Sequence, residues 1–441
     1  TKLSGRIEED AFDMKPSFES MQALGWEVLK IEKGNDLTAC YHGIEESIEL
    51  AKNSTKPVFV WLKTVKGQGV KATETSSSGG HGFPLKAYSV EVNNFLAEIF
   101  NDEVPSEFNS WVEELTTKPK SSSKSEAGIK VEKAQAGFAK GAAKAAEAGY
   151  PVYSVSSDLQ GSTGMKAFQQ QFPEHFVDLG IAEANMVSHA AGMSKAGFIP
   201  IVDTFAAFGV TKGNLPLVMA SLSECPLIAV FSHVGFQDAA DGASHQSLTY
   251  LSALGSIPNV KTIIVSCSAE AEAFMFQAIE DIAKKRKNNE VADSYIFFVG
   301  RENFPAHFES EQSFKLGQAN LLRSGNNGVI VAAGAVLYKA LNVANDLDAS
   351  VIVNSCANKP DTELIAKELQ KCSKLLTIED HQVVGGYGAQ LIHALKQEGL
   401  DFKSKSLGVN GVFGQSAYKA DELYAKHGLV EKDIEKAFNQ L

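Results

Sequence analysis

Short apolar runs alternate with helical patterns along almost the whole chain, and this alternation constrains the fold more than any other feature. The runs are nearly continuously apolar, which is typical of strands buried on both faces of a parallel sheet. Helices that follow such strands cover the two faces. The sequence therefore predicts an α/β fold, with strands at residues 58–61, 152–155, 199–202, 227–231, 263–265, 295–299, 329–333, 351–353 and 375–378.

Two polar stretches divide the chain. Residues 118–128 contain a Lys- and Ser-rich run with too few apolar side chains to join a core, which predicts a linker. A second boundary is expected near residues 305–313, where a strand gives way to polar residues before a new series of strands and helices. The predicted domains are residues 1–117, 129–309 and 310–441.

Charge and composition exclude some classes of partner. The 441 residues carry a formal net charge of -12 without a Lys/Arg-rich block, which argues against a nucleic-acid partner. No apolar stretch has the roughly 18 residues of a membrane span, and the first residues lack a signal-peptide pattern, so we expect a cytoplasmic protein with no membrane partner. Five widely spaced cysteines indicate neither a disulfide framework nor a zinc site.

Glu183 lies in the most conspicuous polar motif. Residues 180–186 follow a probable strand and open an apolar helical stretch, which places Glu183 at a strand-to-helix corner. Such corners, at the carboxyl ends of parallel strands, are where open α/β sheets bind ligands. The alternative is that Glu183 only complements the helix dipole.

Aromatic and imidazole side chains follow the next two strands. Phe205 and Phe208 are spaced so that both can stack on one flat ring, although as a lone pair they are more typical of a core. His233 and then Asp241 and His245 begin polar loops where strands should end. A lone His is usually structural, but two in adjacent polar loops with an Asp indicate a site.

In this order and spacing, the motifs resemble the pyrimidine-binding domain of transketolases, especially the type encoded as separate halves. Residues 63–69 and 81–85 are similar to the end of the family's diphosphate-binding domain. The resemblance implies a thiamine-diphosphate-binding fold, with residues 1–117 as the C-terminal part of the diphosphate domain. It also implies a transketolase C-terminal α/β domain with a mixed sheet, matched at residues 359–361, 379–381, 385–388 and 413–416.

The resemblance implies roles for individual residues. Glu183 would hydrogen-bond the aminopyrimidine ring of thiamine diphosphate, with Phe205 and Phe208 stacked against that ring and Asp158 and His81 as further cofactor contacts. The same resemblance assigns the sugar to a larger set. His81, His233 and His245 would bind hydroxyls or move protons, with His245 or His81 as general base, Asp241 would recognise a hydroxyl, and Arg301 and Ser162 would contact the substrate phosphate.

Three positions depart from the family pattern. A third aromatic of the pyrimidine platform is matched here by Thr211. A second phosphate-binding arginine is matched by Glu132, and an acid there would repel a phosphate. An acid that often contributes to the dimer contact is matched by Ala240. These differences predict looser pyrimidine packing, altered phosphate recognition and weaker coupling between two sites.

The family's metal-binding motif, Gly-Asp-Gly followed by an Asn, is not found in the sequence. We therefore expect no metal ligand in this chain. The cofactors implied are thiamine diphosphate and Mg²⁺ or Ca²⁺, and we expect the metal ligands to lie on a preceding N-terminal segment. A second hypothesis is that a separate N-terminal subunit supplies this segment. A third is that the chain is a cofactor-free relative with a binding or regulatory role. The resemblance also implies a homodimer with the active site at the subunit interface, where His81 would act in trans to Glu183.

The function that the resemblance implies is transketolase activity in the pentose phosphate pathway. A two-carbon ketol unit would pass from a ketose phosphate such as xylulose 5-phosphate to an aldose phosphate such as ribose 5-phosphate. Two other thiamine enzymes are alternatives, namely 1-deoxyxylulose-5-phosphate synthase and the E1 component of a 2-oxo acid dehydrogenase. A non-catalytic transketolase-like subunit is the alternative from another class.

Overall fold

The computed structural model describes residues 14–76, 88–117, 130–309 and 313–441. The chain divides into two compact units, Thr1–Glu126 and Ala127–Leu441. The predicted linker and His81 lie outside the described residues, as do residues 310–312 at the expected second boundary. Within the described ranges, no helix is both long enough and apolar enough to cross a membrane.

The first unit contains a parallel strand pair joined by a helix. Strands β1 (Glu27–Ile31) and β2 (Val58–Leu62) pair in parallel, and helix α2 (Leu37–Asn53) connects them. The ring of Phe18 packs against the second strand, with centroids 5.7 Å from Phe59 and 5.1 Å from Trp61. The described elements are α1 (Lys15–Ala23), β1 (Glu27–Ile31), α2 (Leu37–Asn53), β2 (Val58–Leu62), α3 (Lys71–Glu74), α4 (Glu91–Ile99) and α5 (Asn109–Thr116).

The second unit begins with a six-stranded sheet in the order β5-β4-β6-β7-β9-β8, in which every strand pair is parallel. Beside it, β3 and β10 form a short antiparallel pair. The elements are β3 (Val131–Lys133), α6 (Gln135–Glu147), β4 (Val152–Ser156), α7 (Gln160–Thr163), α8 (Lys166–Gln171), β5 (Phe176–Asp178), α9 (Glu183–Lys195), β6 (Ile199–Phe205), α10 (Ala206–Gly209), α11 (Asn214–Leu222), β7 (Ile228–Ser232), α12 (Tyr250–Leu254), β8 (Val260–Ile264), α13 (Ser268–Lys287), β9 (Ser294–Val299) and β10 (Asn303–Pro305).

A five-stranded mixed sheet completes the second unit, in the order β11-β13-β12-β14-β15. Its edge strand β11 is antiparallel, and the other strands run parallel. The elements are β11 (Asn320–Arg323), β12 (Gly328–Ala332), α14 (Ala335–Leu347), β13 (Ala349–Val353), α15 (Thr362–Leu369), β14 (Lys374–Gln382), α16 (Tyr387–Gln397), β15 (Lys403–Val409), α17 (Ala420–Lys426) and α18 (Glu431–Asn439). The α/β fold predicted from the sequence is confirmed.

The two sheets of the second unit share one hydrophobic core, which includes Leu251 on α12, Phe298 on β9 of the first sheet and Val331 on β12 of the second. A buried polar seam accompanies this core. The carboxylate of Asp380 on β14 accepts hydrogen bonds from two tyrosine hydroxyls, Tyr250 at 3.2 Å and Tyr424 at 3.1 Å. Because such bonds compensate a buried charge, they fix the second sheet against the α12 region of the first.

Two glycines allow helices α6 and α13 to pack closely. A methyl group on Gly137 would overlap the carbonyl oxygen of Ser268, and one on Gly141 would overlap that of Glu272. Both glycines lie on one face of α6, one turn apart. The close approach buries the second core cluster of this unit, which includes Phe138 and Phe274.

We expect Gly137→Ala to destabilise the second unit, since overpacking a tight contact typically costs roughly 1–3 kcal/mol. The measurement is the midpoint of thermal unfolding. Gly192→Ala in α9 is the matched control, because a methyl group there would meet no described atom within 4 Å. That control should be neutral or stabilising, as Ala has the higher helix propensity by about 1 kcal/mol. Equal midpoints for the two variants would contradict the packing argument.

Candidate active site

The carboxyl ends of the six-stranded sheet bring most of the predicted site residues to one edge. The strands run parallel, so the residues that follow them lie on the same side. The connections that leave β4 and β6 run to opposite ends of the sheet, and open α/β sheets bind ligands at such a switch point. The edge carries Asp158 after β4, Glu183 after β5, Phe205 at the end of β6, His233 after β7 and Arg301 after β9.

Glu183 is the first residue of α9, and its side chain is only 2% exposed. The amino-terminal end of a helix stabilises an acid in its first turn. The Oε2 atom of Glu183 lies 3.8 Å from the Nζ atom of Lys212, whose side chain is 59% exposed. The structure therefore places a buried carboxyl group at this strand-to-helix corner, with the exposed side chain of Lys212 beside it.

Phe205 and Phe208 form a stacked pair, with ring centroids 5.9 Å apart and planes inclined by 19°. His233 stacks on Phe205 at 3.9 Å, and His245 meets Phe208 edge-on at 5.4 Å. The two predicted aromatics and two of the predicted histidines therefore form one continuous group of rings. Offset stacking of this kind is favoured between flat side chains.

Thr211 does not extend this group of rings. Its hydroxyl donates a hydrogen bond to the carbonyl oxygen of Ala207 at 2.7 Å, on the preceding turn. The next residue, Lys212, lies with Nζ 5.6 Å from the centroid of Phe208, at cation–π distance. Lys212 therefore connects the aromatic pair to Glu183. The sequence did not indicate Lys212, because its contact with Glu183 joins two elements and leaves no local pattern.

His233 is buried and held in an unusual backbone conformation. Its φ of 62° lies in the left-handed region, which costs energy for a residue with a side chain and recurs at functional sites. The Nδ1 atom lies 2.7 Å from the hydroxyl of Ser232. Burial lowers the pKa of His233 to about 3, and the positive charges of Arg301 and Lys133 act in the same direction. The imidazole is therefore neutral at physiological pH.

Asp178 connects the loops that carry Asp158 and Glu183. Its Oδ1 atom accepts a hydrogen bond from the backbone N–H of Asp158 at 3.1 Å and another from Gly180 at 2.9 Å. Asp158 itself has a positive φ of 61°. One carboxylate thus fixes both turns, and this contact was not apparent from the sequence.

The loop with Asp241 and His245 is held by the C-terminal part of the unit. The side-chain amide of Gln246 donates to the carbonyl oxygens of Asp238, at 3.2 Å, and Gln415, at 3.0 Å. The segment 413–416, identified by its motif, therefore lies against the loop. The Nδ1 atom of His245 lies 2.9 Å from the hydroxyl of Ser244.

Arg301 forms a close ion pair with Asp238, a residue that the sequence analysis did not single out. The distance from Nη1 of Arg301 to Oδ1 of Asp238 is 2.6 Å, and the Asp238 side chain is 0% exposed. Burial raises the pKa of Asp238 to about 6, helped by the nearby charge of Asp241 and opposed by Arg301. The arginine expected to contact a substrate phosphate is thus already paired within the chain.

Ser162 lies on α7 and Glu132 lies on β3. Ser162 lines a cleft beside α6 that also includes Lys133 and Lys166. The Glu132 carboxylate is hydrogen-bonded to Lys130 at 2.6 Å and to the Ser268 hydroxyl at 2.5 Å. These two bonds lower the pKa of Glu132 to about 2, so the acid is ionised with a lysine beside it.

A metal centre has no counterpart among the described residues, since no group of three or more His, Cys, Asp or Glu side chains there is arranged to hold an ion. The buried Glu183 and the stacked phenylalanines do fit a flat heteroaromatic ring with a nitrogen at one edge. The arrangement can therefore bind such a ring and place neutral imidazole and carboxylate groups beside it.

Three family profiles match the chain in sequence order. The transketolase thiamine diphosphate binding domain matches residues 5–148, the transketolase pyrimidine binding domain matches residues 133–288, and the transketolase C-terminal domain matches residues 317–434. These matches agree with the thiamine-diphosphate-binding fold and C-terminal domain that the motifs predicted.

Curated relatives include two kinds of protein. A putative transketolase C-terminal section from Methanocaldococcus jannaschii is 30% identical over 287 residues, which are 64% of this chain and 87% of that protein. A 1-deoxy-D-xylulose-5-phosphate synthase from Halothermothrix orenii is 26% identical over 379 residues, which are 83% of this chain and 53% of that protein. A Polaromonas synthase is 27% identical, over 99% of this chain and 62% of that protein. The chain thus spans less than two thirds of the length of these synthases.

Solved structures give the same family. A split-gene transketolase, described as an inactive beta4 tetramer, superposes with a TM-score of 0.61 and 26% identity, over 71% of this chain and 98% of that chain. The transketolase of Campylobacter jejuni superposes with a TM-score of 0.55 and 20% identity, over 98% of this chain and 70% of that chain, and supports the fold alone. With the family profiles and the archaeal relative in agreement with the geometry at the sheet edge, this chain belongs to the transketolase family.

Proposed function

We propose that this chain supplies the pyrimidine and sugar sites of a thiamine-diphosphate enzyme that transfers a two-carbon ketol unit between sugars. The observation that carries the proposal is the grouping of buried Glu183, the Phe205–Phe208 pair and two imidazoles at one sheet edge. Xylulose 5-phosphate as donor and ribose 5-phosphate as acceptor are the reference substrates, in the pentose phosphate pathway.

The described residues would hold the cofactor through its flat ring. When bound, thiamine diphosphate supplies a nucleophilic carbon centre that amino-acid side chains cannot provide. Glu183 would hydrogen-bond a ring nitrogen from its buried position, and Phe205 and Phe208 would stack on the ring faces. Water is largely excluded from Glu183, so a hydrogen bond there is stronger than one in solvent. Mg²⁺ or Ca²⁺ would bind the diphosphate outside this group of residues.

The imidazoles and Asp241 would bind the sugar. A neutral His233 both donates and accepts hydrogen bonds, which suits hydroxyl groups. His245 would act as the general base that accepts a proton from a donor hydroxyl, and His81 is the other candidate for this role. Asp241 would accept a hydrogen bond from a further hydroxyl.

A second candidate function is synthesis of a 1-deoxyxylulose phosphate. It is favoured by the similarity to the curated synthases, one of which is 27% identical over 99% of this chain. A synthase would consume pyruvate without transferring a ketol unit. Ketol transfer is preferred because a relative that is matched over 87% of its own length is a putative transketolase section.

We expect the complete gene product, supplied with thiamine diphosphate and Mg²⁺, to convert xylulose 5-phosphate and ribose 5-phosphate into the ketol-transfer products. The 441-residue chain alone should bind the cofactor weakly in calorimetric titration, because its sequence lacks the Gly-Asp-Gly motif that would bind the metal at the diphosphate. Consumption of pyruvate without ketol transfer would select the synthase instead. Failure of the complete product to bind thiamine diphosphate would select a non-catalytic subunit.

Glu183→Gln should lower kcat for ketol transfer by roughly 10²–10⁴-fold, the range for loss of a positioned proton-transfer partner. The matched control is Glu431→Gln, which removes an acid from the first turn of α18. That control should retain activity. If both variants keep near-wild-type activity and change only the unfolding midpoint, Glu183 serves the helix dipole and has no central role.

The His233 ring should stay neutral between about pH 8 and pH 5 in NMR spectra of histidine-labelled protein, because its pKa is lowered to about 3. The signal is assigned by its loss in His233→Asn. The unfolded chain takes up this proton first, near pH 6.5, so the free energy of unfolding should fall as the pH drops from 6.5 towards 3. Titration of the folded ring with a midpoint near 6.5 would contradict the buried, neutral assignment.

A homodimer with the active site at the subunit interface is part of the proposal. Helix α11 exposes Leu215 and Leu222, by 69% and 74%, together with Met219. Apolar patches of this kind mark interaction sites. The similar split-gene chain is itself an oligomer, a tetramer.

Leu222→Glu should shift the complete gene product towards monomer in light scattering after gel filtration, because a buried carboxylate opposes association. Val291→Glu is the control, since Val291 is an exposed apolar residue at a loop after α13. It should leave the oligomer unchanged. A Leu222→Glu variant with wild-type molar mass would exclude α11 from the interface.

A further inference from the structure

Asp238 and Arg301 form the closest charged contact at the proposed sugar site. The 2.6 Å distance between Nη1 and Oδ1 is that of a charge-assisted hydrogen bond. Asp238 is fully buried, whereas the Arg301 side chain is 47% exposed. The Asp238 carboxylate therefore contacts Arg301 and is otherwise enclosed by protein. Arg301 presents its remaining donors towards solvent.

The charges around this pair are mainly acidic. The negative charge of Asp241, in the same loop, raises the pKa of Asp238. Glu302 follows Arg301 directly in the chain. The positive charges that reach this region are those of Arg301, of Lys133, which acts on His233 from β3, and of Lys339, which acts on Glu302 and is paired with Asp421 at 2.8 Å. The charge of His245, which lies further along the same loop, also acts on Asp238 and lowers the pKa of that carboxyl group. Within the described residues, the acids near Arg301 outnumber the lysine and arginine side chains.

This balance disfavours a phosphate dianion at Arg301. If Arg301 turned to a phosphate, the buried carboxylate of Asp238 would lose its partner, which is strongly destabilising. If the pair stayed together, the phosphate would lie near the acids Asp238, Asp241 and Glu302, with Arg301 and Lys133 as the cations that offset them. A hydroxyl group brings no charge, and it accepts from a guanidinium and donates to a carboxylate at no such cost.

We propose that Asp238 converts Arg301 from a phosphate anchor into a neutralised hydrogen-bond donor, so that this site takes sugars with a free hydroxyl at the end that faces Arg301. The preferred substrates are therefore unphosphorylated ketoses and aldoses, and the phosphorylated reference pair is converted with a lower kcat/KM. The inference rests on the proposed ketol transfer and narrows its substrate. Asp238 acts through Arg301, so it is a specificity-determining residue and not a catalytic one.

The test compares kcat/KM for two matched substrate pairs with the complete gene product, thiamine diphosphate and Mg²⁺. One pair is xylulose and ribose, and the other is xylulose 5-phosphate and ribose 5-phosphate. The wild type should prefer the unphosphorylated pair. Asp238→Asn frees Arg301 with little change of shape, and it should move the ratio of the two kcat/KM values at least 10-fold towards the phosphorylated pair.

Two further variants separate the proposal from general effects. Asp346→Asn removes one negative charge from an exposed position on α14 and should leave the ratio unchanged. Arg301→Gln should lower kcat/KM for the unphosphorylated pair and leave the preference for it intact. If Arg301 instead grips phosphate, Arg301→Gln will reduce the phosphorylated pair alone, and the proposal is overturned.

A binding measurement decides the case in which turnover is absent. Calorimetric titration with inorganic phosphate should give at least 10-fold tighter binding to Asp238→Asn than to the wild type. No turnover of either pair would refute ketol transfer, and this titration would still judge the Asp238–Arg301 pair. A wild type that prefers the phosphorylated pair, with equal phosphate binding by both proteins, would leave ketol transfer standing and overturn the inference.

Discussion

The parallel alignment of the six-stranded sheet is the constraint on which the site depends. Parallel strands all end on one side, so the segments that follow β4, β5, β6, β7 and β9 meet there, including the long segment 233–249 between β7 and α12. The edge is stabilised by buried polar contacts beneath it. Asp203 on β6 accepts hydrogen bonds from Ser156 on β4, at 3.0 Å, and from Thr163 on α7, at 2.6 Å. These bonds connect the two strands that flank the switch point to the α7 turn, which fixes the loop that carries Asp158.

The second sheet contributes to the site by supporting it. Gln246 is held by the carbonyl of Gln415, and the backbone N–H of Ala417 donates to the carbonyl of Ala239 at 2.9 Å. The loop that carries Asp241 and His245 therefore has one side against the C-terminal part of the unit. Loops placed by a rigid scaffold are precise enough for chemistry, whereas unsupported loops are not. The C-terminal part of the unit, in which no catalytic residue is proposed, therefore supports the loop that carries Asp241 and His245.

Sequence reasoning identified the fold class and the order of the motifs because buried parallel strands leave a strong apolar signal. It missed β15, whose residues Lys403, Ser404 and Lys405 are polar, since an edge strand needs no continuous apolar run. It also missed Lys212, Asp178 and Asp238. Each of these acts through a three-dimensional contact with a residue distant in sequence or on another turn, and no local pattern reports such a contact. Motifs predict which residues meet at an edge, but the partners that set their charge depend on packing.

The two acids that matter most at this edge differ in how tightly they are paired. Glu183 lies 3.8 Å from Lys212, whose amine is largely solvated, whereas Asp238 lies 2.6 Å from Arg301 through a charge-assisted hydrogen bond. Coulomb attraction falls with distance and with dielectric, so the first pair is the weaker one. A flexible lysine leaves such a contact at little cost, which lets Glu183 exchange its partner for a ligand. The guanidinium of Arg301 cannot leave without stranding a buried charge. The same edge therefore holds Glu183, which can exchange its lysine partner for a ligand, and Asp238, which neutralises the charge of Arg301.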